Sequence, residues 1–282
     1  METIHLNREN LTHWQQKAKT TVIALGFFDG LHHGHCEVIK TALQKAKERN
    51  VTLSVMSFFP HPKTVLSNGK KKVCYLMPLS EKEEVLQKLG VDTFYIVEFD
   101  QEFASLPPEQ FVTNYLLGLG VVHAVAGFDF SYGSWGMGNM DRLKSDSGGR
   151  IEVTKVEKVE RDGEKISSTC IRERLVKGKV EEIPYFLGRP YEVKGDWDGF
   201  SFKLSPYYTL PACGYYDVTV KKELNSLHTK LLVIEGEEGE ELRSMIKVPP
   251  YMKGRVSIVW RRRIPEDSTQ TFEEKNWILS TI

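Results

Sequence analysis

The chain has 282 residues, 40% hydrophobic and 27% charged, and its 38 basic side chains balance its 38 acidic ones. This length is typical of two domains, and the composition is that of a globular protein. A net charge of zero gives no reason to expect a nucleic-acid or membrane partner. The four widely spaced cysteines predict neither a metal site nor a disulfide scaffold. Without a signal peptide or an apolar run of about 20 residues, we expect a cytoplasmic location.

Up to about residue 160, β-type runs alternate with helical patterns, which predicts an α/β fold with a parallel sheet. One helix carries clear end signals: Ser80 and Glu83 have the spacing of a capping box, and Gly90 is placed to end the helix. The predicted strands are 21–26, 51–57, 93–98, 121–126 and 151–156, and the predicted helices are 36–49, 80–89 and 108–118.

From about residue 187 this alternation stops. Short β-type runs punctuated by Pro and Gly predict a small all-β, barrel-like domain, with strands at 215–221, 230–234 and 256–260. The acidic run 235–241 is predicted to be a hairpin loop. We therefore divide the chain into domains at 1–186 and 187–282.

The first predicted strand is joined to the first helix by Gly26-Phe27-Phe28-Asp29-Gly30-Leu31-His32-His33-Gly34-His35. A Gly-rich turn that opens a helix presents unpaired backbone N–H groups to an anion such as phosphate. His32 and His35 lie at the same helix start, and Gly34 allows a ligand to come close to the backbone. The pattern predicts a polyphosphate site, and the alternative is a tight turn whose histidines are only solvated.

Two further segments follow predicted strands. Phe58-Phe59-Pro60-His61-Pro62 ends the second strand, and taken alone it is a stiff exit turn with one histidine. Gly127-Phe128-Asp129-Phe130-Ser131-Tyr132-Gly133 leaves the fourth strand, and its aromatic side chains beside a carboxylate suit a planar heteroaromatic ring. The alternative for this second segment is an aromatic core cluster. Because the carboxyl ends of parallel strands meet at one edge, we expect these loops to converge with the histidine turn.

A fourth segment, Ile166-Ser167-Ser168-Thr169-Cys170-Ile171-Arg172, has the form of a helix start. Ser167 or Ser168 is the predicted N-cap, and the free N–H groups of the first helical turn point towards an anion. Arg172 lies one turn further on and can pair with phosphate oxygens. The alternative is an ordinary capped helix.

Taken in this order, the four segments resemble the bacterial FAD synthetases of the nucleotidyltransferase superfamily, which are usually fused to a riboflavin kinase. The matching patterns are Gly-x-Phe-Asp-Gly-x-His-x-Gly-His, Phe-x-Pro-His-Pro, Gly-x-Asp-Phe and Ile-Ser-Ser-Thr-x-Ile-Arg. The chain departs from the family at Phe59, where an acidic or amide residue is common. It departs again at Gly136, where an arginine is usual, and Trp135 is available there for stacking.

The resemblance implies a Rossmann-like nucleotidyltransferase domain that transfers AMP from ATP to FMN, with Mg²⁺ bridging phosphate oxygens. It implies that His32, His35 and Arg172 are catalytic. Asp29 either orients an imidazole or a metal-bound water, or caps the turn. The implied ATP-binding residues are Gly26, Phe27, Asp29, Gly30, Gly34, Gly127, Ser168 and Thr169, and the implied flavin-binding residues are Phe58, Asp129 and Tyr132.

The second domain begins with Leu187-Gly188-Arg189-Pro190-Tyr191, which is similar to the family's junction with its kinase domain. The family's Gly-Phe-Pro-Thr-Ala-Asn segment is replaced here by Gly199-Phe200-Ser201-Phe202-Lys203-Leu204-Ser205-Pro206. We therefore expect a degenerate kinase-like barrel that does not phosphorylate riboflavin. Three alternatives stay open: a bifunctional enzyme, a nucleotidyltransferase for another acceptor such as phosphopantetheine or nicotinate mononucleotide, and an inactive flavin or nucleotide sensor.

Overall fold

The computed structural model describes residues 1–265 except 72, 199, 200, 206, 237, 238, 246 and 247. The chain forms two compact units, the first ending at Ile166 and the second beginning at Ser167. The division drawn from the sequence between residues 186 and 187 stays a prediction.

A parallel sheet is the framework of the first unit. The strands of this unit are β1 (Glu2–Leu6), β2 (Thr21–Leu25), β3 (Thr52–Phe59), β4 (Thr93–Glu98), β5 (Val121–Gly127), β6 (Ser131–Tyr132), β7 (Gly138–Asn139), β8 (Glu152–Val156), β9 (Glu160–Arg161) and β10 (Glu164–Lys165). The main sheet has the order β1-β4-β3-β2-β5-β8, and every neighbouring pair is parallel. The predicted α/β architecture is confirmed, and β1 is an edge strand that the sequence patterns did not reveal.

Helices cover both faces of this sheet. They are α1 (Leu11–Lys17), α2 (His33–Arg49), α3 (Pro62–Leu66), α4 (Leu79–Lys88), α5 (Gln101–Ala104), α6 (Pro108–Phe111) and α7 (Leu143–Asp146). The predicted helix 108–118 is α6 followed by a π-helix, Val112–Leu117, and Ser134–Gly136 is a single 3₁₀ turn. Within the part of the chain that the structure describes, no helix is long and apolar enough to cross a membrane.

Strand β2 lies between two hydrophobic clusters, one on each face of the sheet. Ile23 and Leu25 pack in the cluster that contains Phe111 and Tyr115. Alternate residues of a strand face opposite sides, so Val22 and Ala24 pack in the other cluster, with α2 and α4. Burial on both faces explains why β2 is a continuous apolar run, and it places the turn after β2 at the carboxyl edge of the sheet.

The N-cap of helix α4 lies two residues before the position that its capping signals predict. Pro78 is the N-cap residue, and its side chain forms no capping hydrogen bond. Since Ser80 already lies inside the helix, the capping box predicted for Ser80 and Glu83 is wrong. Gly90 follows the last turn with a φ of 82°, so the glycine stop is confirmed.

The second unit starts with α8 (Ser168–Val176) and α9 (Ile183–Leu187) and continues as a β-barrel. The barrel strands are β11 (Glu192–Trp197), β12 (Ser201–Leu204), β13 (Gly214–Lys222), β14 (Asn225–Gly236), β15 (Gly239–Ser244) and β16 (Gly254–Ile264). They close in the order β11-β12-β15-β14-β13-β16, with antiparallel neighbours. The predicted barrel is therefore confirmed. Strands β14 and β15 pair up to Gly236 and Gly239, as a hairpin at the acidic run requires. Residues 237 and 238 of that loop lie outside the described residues, as do residues 199, 200 and 206 of the altered kinase segment.

Candidate active site

The turn between β2 and α2 has an unusual backbone. Phe28, Gly30 and Leu31 have positive φ values of 52°, 80° and 45°. Such angles are unfavourable for a bulky side chain, and they persist only where the surroundings impose them. The side chains of Phe28 and Leu31 are buried, and their packing helps to hold the turn in this conformation.

His32 and His35 are brought together at the start of α2, as the spacing predicts. Their rings stack with centroids 3.6 Å apart and an angle of 20° between the planes. His32 is the N-cap residue, and its Nδ1 accepts a hydrogen bond from the backbone N–H of His35 at 3.3 Å. Because Nδ1 accepts, a neutral His32 carries its proton on Nε2, which makes Nε2 a donor. A Cβ on Gly34 would lie 3.3 Å from the His32 ring, so Gly34 also makes room for that ring.

Both imidazoles are held neutral. The pKa of His32 is lowered to about 4. Burial is the largest cause, His33 and Lys165 add to it, and Asp129 opposes it. Burial, followed by the charges of His32 and Lys82, lowers the pKa of His35 well below its ordinary value. His35 as a whole residue is half-buried, and its Nδ1 is enclosed and has no hydrogen-bond partner among the described residues. At neutral pH the pair therefore offers uncharged N–H donors.

Lys82 is a site residue that the sequence patterns did not identify. Its side chain is buried below the turn, and its Nζ donates to the Phe27 carbonyl at 2.8 Å and to Ser57 Oγ at 3.3 Å. Burial lowers the pKa of Lys82 to about 8, and Asp29 opposes this shift. One signal was available, because Lys82 precedes Leu86 by four residues and so lies on the apolar face of α4.

Asp29 is a buried anchor between two segments of the chain. Its Oδ1 accepts from the backbone N–H groups of Leu76 and Met77 at 3.0 and 3.2 Å, and its Oδ2 accepts from Leu76 at 3.1 Å. The carboxylate thus ties the turn to the residues that precede α4. Its implied contact with ATP stays a prediction.

Replacing Asp29 with alanine is expected to lower the free energy of unfolding by about 2–3 kcal/mol, because two buried amides lose a charged acceptor. Urea unfolding measures this loss. Glu37→Ala, at an exposed position of α2, is the matched control and should change stability little. Equal effects of the two substitutions would contradict the anchoring role.

The turn after β3 meets the histidine turn, as the common strand direction predicts. The ring of Phe27 lies 4.4 Å from that of His61 and 5.9 Å from that of Tyr75. The backbone N–H of His61 donates to Tyr75 Oη at 3.0 Å, so both residues join one aromatic group. Tyr75 is a second residue that the sequence patterns did not reveal.

The residues implied to bind flavin occupy different surroundings. Asp129 forms an ion pair with Lys165 at 2.7 Å, and Lys165 lies 4.6 Å from the ring centre of Phe128. The charges of this group act on the histidine pair, since Lys165 lowers and Asp129 raises the pKa of His32. A Cβ on Gly127 would lie 3.3 Å from Asp129 Oδ1.

Phe58 and Tyr132 instead pack within the hydrophobic core. The ring of Phe58 lies 5.8 Å from that of Phe103, and Tyr132 Oη donates to Asp146 at 2.6 Å. Trp135, in contrast, is 98% exposed and has a φ of 55°. Flavin contacts by Phe58, Asp129 and Tyr132 stay predictions.

The segment 166–172 forms the predicted helix start. Ser167 is the N-cap of α8, and its Oγ accepts from the backbone N–H of Cys170 at 3.2 Å. Ser168 and Thr169 lie in the first turn of α8 and Arg172 in the next. These residues belong to the second unit. Their phosphate contacts stay predictions.

Comparison with known proteins identifies the family. The FAD synthetase family model matches residues 14–170. A bifunctional riboflavin kinase/FMN adenylyltransferase of Bacillus subtilis (strain 168) is 41% identical over 237 residues, which are 80% of this chain and 74% of that protein. A protein of the same description from Listeria monocytogenes is 48% identical and covers 69% of this chain and 62% of that protein.

One further match agrees with this family, and a second, to a solved structure, agrees with the fold. An FAD synthetase of Listeria monocytogenes is 34% identical over 71% of this chain and 81% of that protein. A crystal structure described as a macrolide-efflux protein from Streptococcus pneumoniae has a TM-score of 0.81 and 26% identity, over 97% of this chain and 98% of that one. As the resemblance of the four segments implied, the chain belongs to the FAD synthetase family and is a nucleotidyltransferase enzyme.

Proposed function

We propose that this enzyme transfers AMP from ATP to FMN, forming FAD and pyrophosphate. The observation that carries the proposal is the stacked His32–His35 pair, held neutral at the start of α2 on the carboxyl edge of the sheet. Ligands of open α/β sheets bind at this edge, and a helix N-terminus favours anions. The names of the relatives support the choice of FMN as acceptor.

The proposed chemistry needs no nucleophilic side chain, because the FMN phosphate is already ionised. One of its oxygens attacks the α-phosphorus of ATP in line. The new P–O bond forms as the bond to the bridging oxygen of the β-phosphate breaks, and pyrophosphate leaves with the electron pair. The protein positions two anions that repel each other and stabilises the charge that develops on the leaving group.

In this proposal His32 donates through Nε2–H to the triphosphate, and His35 stacks beside it as the second donor. The enclosed Nδ1 of His35, unpartnered among the described residues, supports a polar ligand here. Gly26 and Phe27 pass near the adenosine, and Gly30 and Gly34 let the phosphates approach the backbone. Arg172, Ser168 and Thr169 keep the phosphate-binding role that the sequence implies for them.

Mg²⁺ enters the proposal as a companion of ATP. The residues described by the structure contain no group of three or more His, Cys, Asp or Glu side chains that could hold a metal ion. Asp29, the carboxylate within the turn, is occupied by the amides of Leu76 and Met77. The side chains described here do not fit a metal cage of their own, whereas Mg²⁺ commonly binds substrate phosphates and keeps several waters.

We also propose that the second unit does not phosphorylate riboflavin, because the kinase segment with Pro-Thr-Ala-Asn is replaced at 199–206. A bifunctional enzyme is the second candidate. It is favoured by the names of two relatives, one of which matches 80% of this chain and so extends beyond residues 1–186.

One assay tests both parts. The purified protein is incubated with Mg-ATP and either FMN or riboflavin, and the flavins and pyrophosphate are separated and quantified. FMN should give FAD and pyrophosphate in equal amounts, and riboflavin should give neither FMN nor FAD. Formation of FMN or FAD from riboflavin would establish the bifunctional enzyme. Binding of ATP and FMN without FAD formation would favour the sensor, and turnover of phosphopantetheine or nicotinate mononucleotide alone would identify another acceptor.

A further inference from the structure

Lys82 is a buried lysine to which the proposed chemistry gives no role. Only 1% of it is exposed, and its Nζ donates to the Phe27 carbonyl at 2.8 Å. Ser57 Oγ donates to the same carbonyl at 2.8 Å, and it also accepts from Lys82 at 3.3 Å. Two buried donors, from β3 and α4, therefore converge on one backbone oxygen at the start of the histidine turn.

Fixing this oxygen fixes the following residue. The carbonyl of Phe27 and the N–H of Phe28 belong to one planar peptide unit. Phe28 has a φ of 52°, which is unfavourable for a residue with a large side chain, so the orientation of that peptide needs support. The ring of Phe28 is buried and lies edge-on to His35 at 5.3 Å. Contacts thus run from Lys82 through the Phe27 carbonyl and Phe28 to His35.

The charge of Lys82 is a second link to the histidines. Asp29 in the turn acts on the charge of this side chain, and this side chain acts on His35 of α2. The ammonium lowers the pKa of His35, while Asp29 favours the charged form of Lys82. An ammonium buried in this way is unfavourable compared with an apolar side chain of similar length. Its place beneath the turn is therefore better explained by function than by stability.

We propose that Lys82 is a positioning residue for AMP transfer: together with Ser57 it holds the Phe27 carbonyl, and so sets the turn that presents His35 to the triphosphate. The inference rests on the proposed function and deepens it. Lys82 itself touches no substrate in this scheme.

Three variants separate positioning from a structural role. Lys82→Met removes the donor and the charge, Ser57→Ala removes the second donor and keeps the charge, and Lys88→Met removes an exposed charge of the same helix as the control. The readouts are urea unfolding, kcat and KM for ATP, and NMR titration of the imidazole of His35 in the protein without substrate.

Lys82→Met should unfold at the same urea concentration as the wild type or at a higher one. Its kcat should fall about 10-fold or more, and its His35 imidazole should titrate at a higher pH than in the wild type. Ser57→Ala should lower kcat less than Lys82→Met does, and His35 should titrate at the same pH as in the wild type. Lys88→Met should match the wild type in all three measurements. Wild-type kcat in Lys82→Met, or a loss explained by its unfolded fraction, would overturn the proposal. Should Lys82→Met not fold, an unchanged kcat in folded Ser57→Ala would overturn it.

The NMR arm keeps this inference distinct from the proposed function. Absence of FAD formation by the wild type would refute AMP transfer to FMN. An unchanged titration of His35 in folded Lys82→Met would refute the coupling of Lys82 to the histidine pair, whatever reaction the enzyme catalyses.

Discussion

Replacing His32 or His35 with alanine is expected to lower kcat for FAD synthesis by about 100-fold or more, while the protein stays folded. Each substitution removes one preorganised donor from the site of developing charge, and such donors contribute this much in other enzymes. The stacked rings share one location, so loss of either also removes the support of its neighbour. The measurement is kcat at saturating ATP and FMN, with the folded fraction determined by circular dichroism.

Two controls make this result specific. His33→Ala changes the exposed histidine between the pair and should retain wild-type activity. His32→Asn keeps a side chain suited to the N-cap of α2 but lacks the Nε2 donor, so it should be as inactive as His32→Ala with less loss of stability. Near-wild-type turnover in both alanine variants would remove the pair from the chemistry.

Acidification from pH 6.5 to pH 4 is expected to lower the free energy of unfolding by about 3 kcal/mol through His32 alone. The pKa of His32 is about 4 in the folded protein and 6.5 ordinarily. As the pH falls, the unfolded chain therefore binds this proton first, and unfolding becomes more favourable. The contribution is fully present above pH 6.5 and is lost as the pH falls to 4. His35, whose pKa is also lowered, acts in the same direction.

Urea unfolding between pH 7 and pH 4 measures this effect. Carboxylates also titrate in this range, so the contribution of His32 is taken as the difference in stability between the wild type and a His32 variant. The stability of His32→Asn should fall by about 3 kcal/mol less than that of the wild type. His33→Asn should lose nearly as much stability as the wild type, because burial, the largest cause of the lowered pKa of His32, is unchanged and only the smaller contribution of His33 is removed. Parallel curves for the wild type and His32→Asn would show that His32 is not held neutral by burial.

Much of the first unit follows from local patterns. All five predicted strands are present. Four of them are largely buried apolar runs that end at turn residues, whereas the edge strand β8 is partly exposed along its length. The edge strand β1 was not predicted, since Glu2-Thr3-Ile4-His5-Leu6 is short and buries only Ile4 and Leu6. Pro78 starts α4 ahead of the cap that Ser80 suggested. Local signals therefore identify elements more reliably than their ends.

The barrel shows the same limit. The predicted runs lie within β13, β14 and β16, which are long and rich in Val, Leu and Ile. Strands β11, β12 and β15 were missed because they are short and carry Lys, Asp, Glu or Arg between their few apolar residues. Their pairing comes from barrel closure, which no local pattern records.

In the site, the sequence predicts which residues meet but not the partners that hold them. The spacing of His32 and His35 at a helix start was sufficient to place them together. The amides that Asp29 binds lie 47 and 48 residues away, and the carbonyl that Lys82 binds lies 55 residues away. A charged residue in a helix is expected to face solvent, so the four-residue spacing of Lys82 from Leu86 is a weak signal, and its hydrogen-bond partners become apparent only from tertiary packing.

The most direct measurement is a crystal structure of the enzyme with FMN and an ATP analogue whose α,β-bridge cannot be cleaved. The account predicts Nε2 of His32 about 2.7–3.2 Å from a triphosphate oxygen, the ring of His35 beside it, and the FMN phosphate in line with the α-phosphorus. A triphosphate bound away from both rings, with the FMN phosphate elsewhere, would contradict it.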